Sequence, residues 1–249
     1  MLAKITINEK NYELDLAKPI DLSIPIMADK ENVNAFYLGP VTYIPFSMGT
    51  FIGDVSKGGA CNVNTITINP HGNGTHTETV GHISKNNYPI RTALMRTFFT
   101  SRLITLDPEK NGGDFVITLN QLKEIDLVNI EALIIRTLPN SIEKKTRQYS
   151  GTNPAYMAKE AADYLRLNNI QHVLLDLPSI DREEDGGKLS AHHAFWNYPE
   201  SPRTECTITE LMYVEDKISD GFYLLDLQFA AFDNDASPSR PIIYALKAI

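Results

Sequence analysis

The sequence predicts an α/β (or α+β) fold, a mixed sheet with packed helices. Three observations carry this. Strand-like runs outnumber helical ones. Some of those runs alternate, as a half-buried strand does, and others are wholly apolar, as a strand covered on both faces is. One stretch stands out as repeating its apolar residues at helical spacing. No internal repeat and no Pro/Gly/Ser-rich linker divides the 249 residues, so the chain reads as one domain, 1–249.

Taken in order, residues 4–15 alternate in part (Ile5, Ile7, Tyr12, Leu14) and predict an opening hairpin. Residues 20–26 are β-like. Residues 63–68 place β-branched residues in alternation and predict a strand running straight into the segment 69–82. Apolar runs at 103–106, 132–135, 172–177, 222–232 and 242–246 predict buried strands. A helix is predicted over about 154–168, with Thr152 or Asn153 as cap, Pro154 in its first turn, and Ala158, Ala161, Ala162 and Leu165 as its apolar stripe. A shorter helix is expected near Asn120.

Composition narrows the function. The hydrophobic fraction of 43% and the charged fraction of 22% are ordinary for a globular protein. A net charge of −8, with no basic cluster, argues against nucleic acid or an anionic membrane as partner. Two cysteines, Cys61 and Cys206, are too few for a disulfide framework or a zinc ribbon and read as reduced thiols. The first residues lack an apolar run of signal-peptide length, and no stretch approaches the ~18 apolar residues of a membrane span. A cytoplasmic protein acting on a small molecule is the expectation.

The chemistry concentrates in Asn69-Pro70-His71-Gly72-Asn73-Gly74-Thr75-His76-Thr77-Glu78-Thr79-Val80-Gly81-His82. Three of the six histidines and one carboxylate lie here among glycines, threonines and other small residues. Imidazole and carboxylate are what a divalent transition metal binds. His76 and Glu78, two apart, project to one side of an extended segment. His82, four beyond Glu78, comes within reach where the chain turns helical. Gly74 admits a close backbone approach, and the Thr75 hydroxyl can orient a ligand. His172 opens an apolar strand and reads as structural. Of the adjacent pair His192 and His193, one can face an ion. Glu210, on the β-like run 207–212, can bridge two ions. Phe46, Phe51, Tyr88, Phe195 and Trp196 flank these motifs and are candidates to line a pocket, with core packing the competing role. The competing reading of the His-rich loop has no metal and only hydrogen bonds.

At these residues the sequence resembles the metal-dependent cyclase family, which includes bacterial kynurenine formamidases and isatin hydrolases. The family hallmark is His-x-Gly-Thr-His-x-Asp-x-Pro-x-His, matched in order and spacing from Gly74-Thr75-His76-x-Glu78 to His82. Asp21-Leu22-Ser23, Ala191-His192, Thr209-Glu210-Leu211 and Ser237-Pro238-Ser239-Arg240 resemble weaker family motifs, in the same order. Four departures stand out. Glu78 replaces Asp. His71 precedes His76 by five residues instead of four, with Gly72 at the family position. Val80 replaces Pro. Residues 197–204 look like an insertion. A one-residue bulge restores His71 as a ligand; without it the site has one donor fewer.

The resemblance implies a swivelling β/β/α fold, a homodimer or higher homo-oligomer, and one or two Zn or Mn ions per chain. It implies hydrolysis of a small amide or cyclic amide by metal-activated water, an arylformamidase-like cleavage of a C–N bond other than a peptide bond. On this expectation His71, His76 and Glu78 hold the first ion, and Glu78 and Glu210 bridge to a second held by His82 and His192. With one ion, His82 is free to act as general base, a role imidazole suits near neutral pH. The alternatives are a non-hydrolytic cyclase or dehydratase using the same ion, and an inactive small-ligand-binding homologue.

Overall fold

The computed structural model describes residues 1–249. Its centre is a nine-stranded mixed sheet. The strands are β1 (Ile20–Asp21), β2 (His76–Glu78), β3 (Phe98–Leu106), β4 (Ala132–Thr137), β5 (His172–Leu175), β6 (Thr207–Glu210), β7 (Gly221–Asp226), β8 (Ala236–Pro238) and β9 (Ile242–Ala245). Across the sheet they run β8-β2-β6-β5-β4-β3-β7-β9-β1. The four central strands, β3 to β6, are parallel, and the flanking pairs are antiparallel.

The apolar runs 103–106, 132–135 and 172–175 fall on parallel strands, whose faces are both covered, while 222–226 and 242–245 fall on the antiparallel β7 and β9. In β4, Leu133 and Ile135 join one core, which contains Ala161, Ala162 and Leu165 of α2 (Lys159–Leu167) and Phe195 and Trp196 of α3 (Ser190–Trp196). Ala132 and Ile134 join a second core with Leu22, Met212, Val214 and Leu227. The predicted opening hairpin is formed by Leu2–Ile7 and Lys10–Asp15. The short helix near Asn120 is α1 (Leu119–Lys123), closed by a reciprocal Thr118–Gln121 capping box.

Several boundaries differ from expectation. The predicted 154–168 helix begins at Lys159, because Tyr156–Met157 stay extended and pair in parallel with Val116–Ile117. The expected cap side chains are used elsewhere: Thr152 donates to the Tyr149 carbonyl and Asn153 to Asp114. The 20–26 segment pairs over Ile20–Asp21 and again at Ser23–Met212, then ends at Pro25, which has no N–H to offer. The run 172–177 stops at Leu175, and 222–232 stops at Asp226.

The predicted 63–68 strand forms over Asn64–Thr67, paired with Thr42–Pro45 as a separate two-stranded ribbon outside the main sheet. Between residues 42 and 70 only Gly53 is buried. No helix is long and apolar enough to cross a membrane.

Candidate metal centre

The site forms where β2 and β6 lie side by side at the end of the parallel strands. Their register sets His76 opposite Glu210 and Glu78 opposite Ile208. On β2, His76 and Glu78 project to one face, as their spacing predicts. Both are completely buried. Strand β8 covers the other edge of β2, with Ala236 opposite Glu78.

The turn Asn69–Asn73 delivers His71. Asn69 accepts hydrogen bonds from the backbone N–H of His71 and, through its carbonyl, of Asn73. Gly72 packs so tightly that a Cβ would stand 2.6 Å from Leu38 Cδ1 and 2.9 Å from the Ala35 carbonyl oxygen. A histidine at the family position is therefore excluded here. His71, one residue earlier, faces Glu78 instead, its Nδ1 2.9 Å from Glu78 Oε2.

His82 sits on a 3-10 turn, Val80–Ile83, whose first N–H groups are met by Thr79: its Oγ1 accepts from Gly81 N. Val80 occupies the first position of that turn, where a proline is tolerated, and packs into the helix-side core. His82 Nδ1 lies 3.8 Å from Glu78 Oε2, and its ring stacks at 4.3 Å on that of His71.

His192 arrives on α3, which follows a charged loop. Leu189 before it is in the left-handed region and offers no cap. Asp181 replaces the cap, accepting from Ala191 N at 2.7 Å and His192 N at 3.0 Å. The same carboxylate accepts from His192 Nδ1 at 2.6 Å, which turns Nε2 toward Glu78 Oε1, 3.0 Å away. His193 points elsewhere, donating from Nδ1 to the Tyr198 carbonyl. Glu210 Oε1 accepts from Ile180 N, and its Oε2 is 3.4 Å from His76 Nε2. All six residues singled out in the sequence (His71, His76, Glu78, His82, His192, Glu210) thus meet in one place.

Two of their atoms are left without a partner. His76 Nε2 and Glu78 Oε2 are buried and make no hydrogen bond. Glu78 Oε2 fails to bond although His71 Nδ1 is only 2.9 Å off, so the two atoms converge without pointing at each other. Orphaned buried polar atoms are costly, about 1–3 kcal/mol each. Their convergence is the arrangement a cation requires. Three sets have their donor atoms within 4.8 Å of one another: His71, His76 and Glu78; Glu78, His82 and His192; and His71, His82 and Asp235. The mixed imidazole–carboxylate donor set fits a divalent transition metal.

Electrostatics agree. Burial acts against charging His71 and His192, yet the carboxylates overcome it: Asp235 and Glu78 lift His71 to about 10, and Asp181 and Glu78 lift His192 to about 10. Against the same burial, His82 and His192 hold Glu78 well below the usual carboxylate range. The pocket demands positive charge, which either protons or a divalent cation can supply.

His71, Glu78, His82, His192 and Glu210 line a cavity of about 670 Å³, together with the loop Arg182–Gly187. Its apolar contributors are Phe36 and Leu189. None of the expected aromatics lines it. Phe46 and Phe51 pack on each other near the outer ribbon, Tyr88 lies against the helix-side core, and Phe195 is buried. Trp196, also buried, backs the His192 ring at 5.3 Å. The Thr75 hydroxyl ties the chain together, donating to the Leu211 carbonyl and accepting from Ile24 N, and reaches no imidazole. At Gly74 the close neighbour is a side chain and not the expected backbone: a Cβ would meet Ile26 Cγ1 at 2.7 Å, with the Ile24 carbonyl oxygen at 3.8 Å. The extra segment 197–204 joins α3 to β6 and is tied back by Arg203 to the Phe195 and Ile170 carbonyls.

A model of the Cyclase family matches residues 15–182. The chain belongs to the cyclase family. It is similar to the kynurenine formamidase of Bacillus cytotoxicus, 25% identical over 192 residues, which are 76% of this chain and 83% of that protein. Its fold is similar to that of an isatin hydrolase bound to the product analogue thioisatinate, with TM-score 0.69 and 18% identity over 92% of this chain and 93% of that one. It is also similar to a protein described as a potential metal-dependent hydrolase with cyclase activity, with TM-score 0.63 and 17% identity over 91% and 97% of the two chains. Within the cyclase family the replacement of Asp by Glu78 brings a longer side chain, and here that carboxylate reaches His71, His82 and His192 at once.

Asp181 and Asp235 were missed by sequence reasoning. Asp181 carries a faint signal, a carboxylate in the Pro-Ser-Ile-Asp turn after a buried strand. Asp235 carries none, because only the β8–β2 pairing brings it to His71.

Proposed function

We propose that this chain is a metal-dependent amidohydrolase that cleaves the C–N bond of a small amide or cyclic amide, in the manner of an arylformamidase. The observation that carries the reading is the convergence of unpartnered His76 Nε2 and Glu78 Oε2 with His71, His82, His192 and Glu210 beside a cavity. Membership of the cyclase family and the similarity to a kynurenine formamidase and an isatin hydrolase support the substrate class.

His71, His76 and Glu78 would hold a first ion, Zn or Mn, and Glu210, His82 and His192, with Glu78, would hold a second. A bound divalent ion supplies Lewis acidity, lowering the pKa of water from ~15.7 toward ~7 and polarising the amide carbonyl. The chain supplies the rest. The Arg182–Gly187 loop lines the cavity beside these residues. With one ion bound, His82 is free to take a proton from the attacking water and return it to the leaving nitrogen, worth roughly 10²–10⁴-fold.

The working form is a homo-oligomer of this chain. The excursion 42–67 exposes Ile44, Phe46, Met48, Phe51, Ile52 and Ile66 on two separate two-stranded pieces, 42–45 with 64–67 and 47–48 with 51–52, and an isolated two-stranded ribbon is barely stable in water. A second copy lying on it would bury this surface.

The deciding experiment is turnover of aryl formamides and cyclic amides by protein loaded with Zn or Mn, run in ¹⁸O-labelled water. Label in the carboxyl product, lost on chelation, is expected. Full metal content with no turnover across the panel would overturn the hydrolase reading in favour of small-ligand binding. Product without label would point to a cyclase or dehydratase.

A further inference from the structure

Asp235 lies outside the family motifs and outside the matched residues 15–182. The fold nevertheless stitches it to the metal centre. Its carbonyl accepts from Thr79 N at 3.0 Å, directly after Glu78, and the next residue, Ala236, pairs with Glu78 itself. Gly81, in the turn carrying His82, packs so closely that a Cβ there would stand 3.1 Å from Asp235 Cβ. The missing side chain at Gly81 leaves room for Asp235 against the turn.

The carboxylate lands 2.9 Å from His71 Nε2, with hydrogen-bond geometry, and 3.5 Å from His82 Nδ1. A carboxylate oxygen only accepts, so the proton of the first bond is on Nε2. In the neutral ring the lone pair is then on Nδ1, the atom that converges with Glu78 Oε2. His76 and His192 are anchored by the same logic. His76 Nδ1 donates to the Gly74 carbonyl at 3.0 Å, and His192 Nδ1 donates to Asp181, leaving each Nε2 for the centre. His71 is the histidine that the chain has displaced by one residue, and Asp235 is its anchor.

We propose that Asp235 is a positioning residue that makes the displaced His71 a metal ligand, by holding its Nε2–H and turning Nδ1 into the site. The inference rests on the metal-centre reading above. An imidazole whose outer nitrogen loses its partner typically costs 10–100-fold in metal affinity.

The test titrates Mn²⁺ and Zn²⁺ into metal-free wild type, Asp235→Asn, Asp235→Ala, His71→Ala and the double variant His71→Ala/Asp235→Ala, reading affinity and ions bound per chain. Cobalt-substituted samples give a visible spectrum that reports the donor set. The expected order of affinity is wild type, then Asp235→Asn, which keeps an acceptor, then Asp235→Ala, some 10–100-fold weaker than wild type. The cobalt spectrum of Asp235→Ala should match that of His71→Ala, and the double variant should bind no more weakly than His71→Ala alone. Further loss in the double variant would overturn the proposal and make Asp235 a ligand in its own right, with His82. Wild-type affinity in Asp235→Ala would overturn it outright. Wild type that binds neither ion would instead overturn the metal-centre reading, and this inference with it.

Discussion

Asp181 and His192 are bound to each other twice, through the His192 backbone N–H at 3.0 Å and through its ring Nδ1 at 2.6 Å. One carboxylate thus starts helix α3 and aims the imidazole that the helix carries. Asp181→Ala should leave two helix N–H groups unpaired and free the ring. We expect metal affinity to fall about 10–100-fold and unfolding free energy to fall by about 1–3 kcal/mol. Calorimetric metal titration and urea denaturation check both. Unchanged affinity would show that the helix alone aims His192.

Glu78 contacts three of the imidazoles, and its charge matters more than its reach. Glu78→Asp should retain more metal than Glu78→Gln, which keeps the length and loses the charge. His76→Ala should abolish metal binding while far-UV circular dichroism stays that of the native fold, because it removes a group that makes one hydrogen bond, to the Gly74 carbonyl. Elemental analysis of chelator-free protein measures all three. Equal loss in both Glu78 variants, or full metal in His76→Ala, would count against the assignment.

His71, His76, Glu78 and His82 were legible because their chemistry is local: two neighbours on a strand, a turn to His82, and residue types that metals prefer; His192 and Glu210 lie more than 100 residues further on and were singled out by their resemblance to family motifs. The apolar runs of the parallel core were legible because a strand covered on both faces favours apolar residues, a rule from which β6 departs with Thr207, Thr209 and Glu210 all buried. What could not be read depends on contacts distant in sequence. The late start of α2 follows from Tyr156–Met157 pairing with Val116–Ile117. The shift of the first histidine follows from Gly72 packing on Ala35 and Leu38. The failure of Phe46 and Phe51 to line the cavity follows from their place by an outer ribbon that the main sheet does not include. Periodicity reports which face of an element is apolar, and it is silent on which element covers that face.

Lys144 and Asp176 form a buried ion pair at 2.8 Å, and Thr137 supplies further bonds to both. Burial pushes the Asp176 carboxyl above its usual range even with Lys144 beside it. Lys144→Met would strand a buried carboxylate, at a cost of about 3–5 kcal/mol. Pairing it with Asp176→Asn should recover part of that loss, because the remaining amide oxygen can still accept from Thr137 N. Urea denaturation at neutral pH reads both variants. A loss under about 1 kcal/mol in Lys144→Met would mean that water reaches Asp176.

His172, the histidine read from sequence as structural, sets a pH dependence that its replacement should remove. Its ring packs at 4.1 Å on Phe99, Nδ1 meets the Thr207 hydroxyl at 2.9 Å, and Nε2 is buried without a partner. Burial drives its pKa down to about 3. Once the chain unfolds, the same ring titrates near ~6.5. Below that pH the unfolded state binds a proton that the native state refuses, so acid favours unfolding. The contribution of the neutral ring is whole above the unfolded pKa and is lost as pH falls toward the folded one. Between about pH 7.5 and 5 the loss is about 2 kcal/mol. His172→Asn keeps a partner for Thr207 and cannot titrate. It should be less stable than wild type at the higher pH, where it lacks the ring packing, and should regain about 2 kcal/mol on wild type at the lower one. Urea denaturation of the two metal-free proteins at both pH values measures the difference. Parallel profiles would mean that His172 is protonated in the native state, with its charge solvated by a path that opens at Nε2.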